Sequence, residues 1–322
     1  MRLTLVHNPS AGSGRPSRDE LTGQLHEAGY DVRYVSTEDD EVTRALDDPG
    51  DLVLVAGGDG AVADVAKQLV GRDVPLGILP TGTANNLARS LGVCGTPRQL
   101  VGALRPERLP QVPRAVWNVG VARGPWGEAR FVEAAGVGLF ARLLRATEDA
   151  RRAGADTSAG ASAGASAASG TEKIEHGRRR LQRLLDSAVA RRVRIDADGE
   201  DVSGDYLLGE ALNVRFVGPS VDLAPGAGRG DGYLALVLVG EHDRRAFGDY
   251  LAALADGREA APPVSPRRVR QVRLSWTPGE GRLDDELWPP EPVDARASAP
   301  PDVPMVELTL VDGRLDVLVP GG

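Results

Sequence analysis

Residues 1 to about 115 alternate between short apolar runs and amphipathic stretches, and that alternation constrains the fold more than any other feature of the chain. RLTLVHN, DVRYVS, DLVLVAG and PLGILP read as strands, while RDELTGQLHEAG, DEVTRALDD, AVADVAKQLVG and ANNLARSLG read as helices. Strand, helix, strand in that order calls for right-handed crossovers, which leave the strands mostly parallel with helices on both faces. The prediction is a doubly wound α/β domain over residues 1–114. Ligands of such sheets bind beyond the carboxyl ends of the strands, where this segment places its glycines.

After about residue 115 the texture changes. AVWNVGVAR, EARFVEAAG, RRVRIDA, GEALNVRFVG, GYLALVLVG, RRVRQVRLSW, VELTLV and RLDVLVP are short strand-like runs punctuated by Gly, Pro and Asp. This spacing predicts a β-sandwich domain over 115–305, and the Asp-Gly of VDGRL at 311–315 reads as a hairpin turn between the last two runs. Residues 153–171 are an Ala/Ser/Gly insertion too poor in apolar side chains to fold alone, read as mobile and internal to the second domain. The amphipathic EKIEHGRRRLQRLLDSAVA that follows still belongs to that domain. GASAG inside the insertion matches G-x-S-x-G but lacks the strand and helix that make a nucleophile elbow.

Composition removes several classes of function. Thirty-eight basic against 46 acidic side chains leave a net charge of −8, so nothing draws the whole chain to nucleic acid or to an anionic membrane. The single Cys94 cannot form an intramolecular disulfide, and the four histidines lack metal-ligand spacing, which suits a reducing cytoplasm. The opening MRLTLVHNPS is too short an apolar run for a signal peptide, and no stretch approaches the roughly 20 apolar residues of a spanning helix. The expectation is a cytoplasmic protein that meets a membrane only peripherally, through transient contact. Lys67 and Lys173 are the only lysines and neither follows a glycine-rich loop, so a Walker-type P-loop is absent.

Three loops at the carboxyl ends of the predicted strands share a composition that suits phosphate. Asn8-Pro9-Ser10-Ala11-Gly12-Ser13-Gly14 offers small residues whose backbone amides can approach an anion. Gly57-Gly58-Asp59-Gly60 joins an apolar strand to a helix, with Asp59 able to orient a metal, a water or an acceptor hydroxyl. Residues 80–86, PTGTANN, bring Thr81 and Thr83 as hydroxyl donors together with Gly82 and Asn85. Any one such loop can be no more than a tight turn, whereas three in one sheet argue for a shared ligand crevice.

NPSAG, GGDG before a helix, GILPTGTANNLARSLG, LAPGAGRGDGYLALVLV and RLDDELW together resemble the diacylglycerol kinase catalytic-domain family, which includes bacterial lipid kinases and sphingosine and ceramide kinases. The likeness runs in order over nearly the whole chain. It implies ATP and Mg2+ as cofactors, an ATP-binding α/β domain, a β-sandwich that takes the lipid hydroxyl, and a C-terminal segment, 306–322, that returns to the first domain. Carried over, Asn8, Pro9, Ser10, Ala11 and Gly12 line ATP, as do Gly57, Gly58, Asp59, Gly60, Ala61 and Asp64, with Thr83 donating to it. GRGDGY resembles the family's structural magnesium loop, which implies the carbonyls of Gly228 and Tyr233 and the carboxylate of Asp231 as an oxygen-only ligand set. Asp284-Asp285-Glu286 stands at the family's acidic motif, implying Glu286 as the base with Asp284 beside it; the sphingosine kinase branch implies Asp59 instead.

Several positions depart from the family's pattern. Ala61 replaces a phosphate-contacting threonine, Ala63-Asp64 replaces an Asn-Glu pair, and Asn86 and Asn118 stand where carboxylates are usual. Phe140 in GVGLFARLL also occupies a position where aspartate is common. An amide keeps hydrogen bonding but loses the charge that binds magnesium. The readings are therefore an ATP-dependent lipid kinase, a silent nucleotide- or lipid-binding protein, and an NAD kinase, against which stand the missing Asn-Glu and the presence of GRGDGY and LDDE. GVGLFA also fits a loose dinucleotide fingerprint, but in the β-rich half and without its acidic partner. The acceptor lipid and the oligomeric state stay open, a homodimer being one option.

Overall fold

The structure is a computed structural model that describes residues 1–153, 169–228, 230–289 and 303–320. The insertion, including its GASAG, falls almost wholly outside the described residues. The chain divides into two units: Met1–Val119 with Gly228–Asp231 and Val311–Gly322, and Gly120–Ala227 with Gly232–Leu310.

The first unit follows the alternation in the sequence: β1 (Arg2–His7), α1 (Arg18–Glu27), β2 (Asp31–Ser36), α2 (Val42–Asp47), β3 (Leu52–Gly57), α3 (Asp59–Leu69), β4 (Leu76–Pro80), α4 (Asn86–Ser90), α5 (Pro97–Ala103) and β5 (Arg114–Trp117). Among the described residues these make a six-stranded sheet ordered β2-β1-β3-β4, then the C-terminal strand Leu315–Leu318, then β5. β1 to β4 pair in parallel, and Val317 pairs in parallel with Leu76 while Leu315 runs antiparallel to Trp117. Every residue of β3 is buried because a central parallel strand is covered on both faces, which is why LVLVAG is continuously apolar. Side-chain caps fix two of the helix starts: Ser17 and Glu20 form a capping box at α1, and Thr96 and Gln99 form another at α5.

The second unit contains β6 (Gly120–Gly124), β7 (Gly127–Phe131), β8 (Ala134–Gly138), α6 (Leu139–Arg152), α7 (Gly170–Asp186), β9 (Arg191–Val193), β10 (Ile195–Ala197), β11 (Glu200–Asp201) and β12 (Gly204–Leu212). A short hairpin of β13 (Phe216–Val217) and β14 (Val221–Asp222) leads to β15 (Leu234–Gly240), α8 (Arg244–Ala255), β16 (Arg267–Val269), β17 (Gln271–Ser275), β18 (Gly281–Leu283), β19 (Glu286–Leu287) and β20 (Met305–Leu310). One sheet is ordered β11-β10-β17-β20-β6-β7 and a second β16-β15-β12-β8-β18-β19, with β9 on β12. Ile195, Val272, Leu308 and Phe131 of one sheet and Val137, Ala211 and Leu236 of the other share a core, the filling of a sandwich. The opposite face of the second sheet carries α6, α7 and α8 over Leu181, Leu185, Leu212, Phe247 and Leu251. Arg178 of α7 fastens this helical layer by donating to the carbonyls of Pro219, Leu254 and Ser220 at 3.0, 2.7 and 2.8 Å.

Three expectations change. VDGRL is not a hairpin: β20 pairs with β17 and β6 in the second unit, whereas Leu315–Leu318 (β21) joins the first unit's sheet, so the Asp-Gly segment is a crossover between sheets. A turn-forming pair favours reversal, but each flanking strand gains more by completing a different sheet. AVWNVGVAR is likewise two strands, β5 and β6, parted at Asn118-Val119 where the chain passes between units. RRVRQVRLSW divides at Arg270 into β16 and β17, which belong to different sheets. Among the described residues no helix is long and apolar enough to cross a membrane.

Candidate functional site

The three glycine-rich loops of the first unit come together at the carboxyl ends of β1, β3 and β4. Gly12, at φ +59°, lies so close to the Thr81 carbonyl that an added Cβ would sit 2.2 Å from its oxygen. A Cβ on Gly82 would fall 2.4 Å from the Gly58 Cα, so these two loops touch backbone to backbone. Thr81 donates its amide to Gly57 at 3.0 Å, and Asn8 donates to Ala56 at 2.9 Å. Asn8 also accepts the Ser10 amide at 3.0 Å, and the Ser10 hydroxyl donates to Glu38 at 2.7 Å.

Asn85 explains the shape of the third loop. It adopts φ +50°, and its side chain accepts from the Gly82 amide at 3.0 Å and donates to the Gly82 carbonyl at 2.9 Å. An amide side chain tolerates this left-handed conformation because it can bond locally. Folded back in this way, Asn85 does not cap α4. Asp59 supplies the missing acceptor, taking the Leu87 amide at 2.9 Å. Sequence reasoning placed Asp59 beside the ligand but missed this second task.

The cluster has the features that a polyphosphate requires. Gly58 begins α3 without a side-chain cap, which leaves its first amides and the positive end of the helix dipole for an anion. The Thr81 hydroxyl is buried without a hydrogen-bond partner among the described residues, a state that costs about 1–3 kcal/mol unless a ligand satisfies it. Ala61 is buried with its Cβ 2.7 Å from where a Cβ on Gly57 would sit, so the departure from threonine fills the turn with a methyl group. Thr83 is half-buried in the same loop. Asp64 lies exposed on the second turn of α3, roughly 140° around the helix from Asp59, away from the face that Asp59 presents.

In the second unit the acidic motif divides by burial. Asp284, at φ +52°, is buried, and one of its carboxylate oxygens accepts the amides of Val132, Glu133 and Ala134 at 2.9, 2.7 and 3.4 Å. Its own amide donates to Ala134 at 2.8 Å. Through these bonds Asp284 ties the β18–β19 turn to the start of β8. Asp285 and Glu286 stay exposed, with Glu286 opposite Leu283 in the β18–β19 pair.

Beneath this turn lies a charged network that sequence reasoning did not identify. Arg282, 1 % exposed, donates from Nε to Glu210 at 3.0 Å and from Nη1 to Glu133 at 3.4 Å and to the Asp284 carbonyl. Burial pushes the Glu210 carboxyl upward against the pull of Arg282, while Glu210 and Glu133 outweigh the burial that would lower Arg282 and hold its guanidinium charged. Glu210 Oε2 and Arg282 Nη2 have no hydrogen-bond partner among the described residues. The Phe140 ring stands 5.1 Å from the Arg282 guanidinium carbon, so the residue in place of the family's aspartate gives the cation an aromatic face. The visible signal was a carboxylate inside each of two apolar runs, GEALNV and RFVEAAG. The glycines of GVGLFA serve packing: a Cβ on Gly136 or Gly138 would lie 2.3 Å from a carbonyl oxygen of Gly209 or Leu207.

GAGRGDGY contains positive-φ glycines at 226, 228, 230 and 232, a backbone that turns repeatedly. A Cβ on Gly230 would lie 2.3 Å from the Val116 carbonyl oxygen. Tyr233 lies under Arg268 and Arg270, whose guanidinium carbons are 4.2 and 5.1 Å from its ring, and its hydroxyl accepts from Arg270 at 3.1 Å. Among the described residues no three His, Cys, Asp or Glu side chains gather as a metal centre, and Asp231 is the only carboxylate within GAGRGDGY.

Residues 2–113 match the model of the diacylglycerol kinase catalytic domain, and residues 151–306 match that of the YegS C-terminal NAD kinase β-sandwich-like domain. A Klebsiella pneumoniae protein named "Probable lipid kinase YegS-like" is 28% identical over 311 residues, covering 92% of this chain and 95% of its own length. Its Citrobacter koseri namesake is 30% identical over 247 residues, 74% of each chain. A Mycobacterium tuberculosis diacylglycerol kinase is 26% identical over 255 residues, 76% of this chain and 74% of its own. A crystal structure of a Bacillus anthracis diacylglycerol kinase shares the fold with a TM-score of 0.65 and 19% identity, over 99% of this chain and 97% of that one.

Proposed function

From the premise that this chain belongs to the diacylglycerol kinase catalytic-domain family, whose curated relatives are named as lipid kinases, we propose that it transfers the γ-phosphate of ATP to a hydroxyl of diacylglycerol or a related lipid. The observation that carries this reading is the contact of Gly12 with Thr81 and of Gly58 with Gly82 around a buried, unpartnered Thr81 hydroxyl.

ATP supplies the phosphoryl group, and Mg2+ neutralises the triphosphate and stabilises charge as the group moves. The chain's own residues bind and orient. The Asn8–Gly12 loop, the uncapped start of α3 and the Thr81–Asn85 loop offer amides and hydroxyls to the phosphates, while the bare glycines let the backbone approach them. Gly228 and Tyr233 through their carbonyls, with Asp231 through its carboxylate, suit a structural Mg2+ because a hard cation takes oxygen ligands.

Glu286 is the proposed base for the acceptor hydroxyl because it is exposed and holds the last position of the acidic motif, where the family resemblance puts the base, whereas one oxygen of the Asp284 carboxylate accepts backbone amides. Asp59 is the alternative, constrained by its bond to Leu87. The lipid is met at a membrane surface through transient contact. Incubating the protein with γ-labelled ATP, Mg2+ and a panel of diacylglycerol, ceramide, sphingoid bases and extracted bacterial lipids tests the proposal. A labelled lipid phosphate is expected; bound ATP with every lipid unlabelled points instead to a silent binding protein, the reading that Ala61, Asn86 and Asn118 favour.

A further inference from the structure

Arg282, Glu210 and Glu133 are all buried in the second unit, and the phosphoryl transfer proposed above gives them no part. Taking three charges out of water is costly, and apolar side chains of similar volume often stabilise a core as well or better. Arg282 Nη2 and Glu210 Oε2 add to that cost, since neither has a hydrogen-bond partner among the described residues. Stability alone therefore does not account for the network. What it does fix is the course of one turn.

That turn joins β18 to β19. Arg282 stands opposite Leu287 and Leu283 opposite Glu286, so Asp284 and Asp285 alone make the reversal. Asp284 holds φ +52°, a left-handed conformation that is unfavourable for a residue with a Cβ unless its surroundings impose it. Two sets of bonds impose it here: the Asp284 carboxylate accepts the amides of Val132, Glu133 and Ala134, and Arg282 Nη1 donates to the Asp284 carbonyl. The guanidinium is itself braced, by Glu210 of β12 on Nε at 3.0 Å and by Glu133, just before β8, on Nη1 at 3.4 Å. Its planar fork can make these bonds together, whereas a lysine ammonium cannot reproduce that geometry. Glu286 lies two residues beyond Asp284 and opens β19, so the clamp on Asp284 sets where the chain delivers Glu286.

We propose that Arg282 is a positioning residue for phosphoryl transfer: braced by Glu210 and Glu133, it holds the Asp284 turn so that the Glu286 carboxylate meets the acceptor hydroxyl. Arg282 has this role only if the chain is the lipid kinase proposed above with Glu286 as its base. The network then acts on turnover and not on nucleotide affinity, because none of its members belongs to the glycine-rich loops of the first unit.

The test uses Arg282→Lys, which keeps a positive charge opposite the two glutamates and loses the fork. Label transfer from γ-labelled ATP to lipid is measured for wild type, Arg282→Lys and Glu286→Gln, with ATP titration counting the folded sites, and hydrogen exchange is followed over residues 283–288 and over α3. A fall in kcat of about tenfold or more is expected for Arg282→Lys, since a displaced base loses part of the roughly 10²–10⁴-fold that proton transfer supplies. KM for ATP and exchange in α3 should stay unchanged while residues 283–288 exchange faster. A kcat equal to wild type, a KM for ATP that rises in step with the fall in kcat, or an unaltered turn overturns the inference and leaves the kinase reading standing. So does Glu286→Gln labelling lipid at the wild-type rate, because there is then no base at that position to place. A wild type that labels no lipid overturns the kinase reading and this role with it. Should Arg282→Lys fail to fold, Glu210→Gln, which keeps an acceptor for Nε and removes its charge, carries the same prediction with a smaller fall in kcat.

Discussion

Asp59 Oδ1 accepts the Leu87 amide at 2.9 Å, so the aspartate that opens α3 also caps α4, 28 residues further along the chain. Two loops that look independent in sequence therefore share an acceptor, and Asn85 is released to shape its own turn around Gly82. Asp59→Ala is expected to cost about 1 kcal/mol, the usual cost of losing a helix cap, whereas Asp59→Asn retains an oxygen for Leu87 and most of that stability. Urea unfolding of both variants checks this; equal losses would show that charge, and not the acceptor oxygen, holds α4.

Gly82 and Gly12 are expected to tolerate no side chain. A Cβ on either falls 2.4 Å or less from a neighbouring backbone atom, so Gly82→Ala and Gly12→Ala must displace the loops that they join. Calorimetric titration with ATP should show affinity reduced by about tenfold or more, equivalent to about 1.4 kcal/mol. Unchanged affinity would remove these loops from the nucleotide site.

Removing one member of the buried Arg282 network should be far more costly than changing the exposed acid nearby. Arg282→Met leaves Glu210 and Glu133 buried without their cation, and about 3–5 kcal/mol of stability is expected to disappear. Glu286→Gln should leave the unfolding midpoint unchanged because the residue is exposed. Denaturant melts of the two variants side by side measure the contrast.

Stability should fall on mild acidification through His7. This residue is buried at the end of β1 with Nδ1 3.1 Å from the Tyr34 hydroxyl, and burial lowers its pKa below the ordinary 6.5. The unfolded chain therefore takes up a proton first. The contribution of His7 is complete above pH 6.5 and is lost as pH falls from there through the folded value. Melting temperatures recorded from about pH 8 to pH 5 should decline less for His7→Gln than for wild type, the unfolded state of that variant having no imidazole to protonate. Parallel curves would remove His7 as the source.

The loops were legible because glycine, asparagine and threonine at strand ends announce close backbone approach, as at Gly12, Gly58 and Gly82. Long-range choices were not legible. The Asp-Gly of VDGRL satisfied every local rule for a hairpin, yet β20 and β21 complete different sheets through Val272, Ala122 and Leu76, partners that local sequence cannot indicate. LDDE read as one acidic motif, and only burial separates Asp284, bound by three amides, from exposed Glu286. Arg282 gave no signal of its own, since an arginine in a strand is ordinarily solvated and its partners lie 72 and 149 residues away.

The most direct measurement of the central claim is transfer of label from γ-labelled ATP with Mg2+ to the lipid panel, run in parallel for wild type, Glu286→Gln and Asp59→Asn. The account predicts a phosphorylated lipid from the wild type, and its loss from Glu286→Gln while that variant still binds ATP and melts as the wild type does. If wild type binds ATP and labels no lipid, or Glu286→Gln labels lipid at the wild-type rate, the account is contradicted, in the first case as a lipid kinase and in the second in its choice of base.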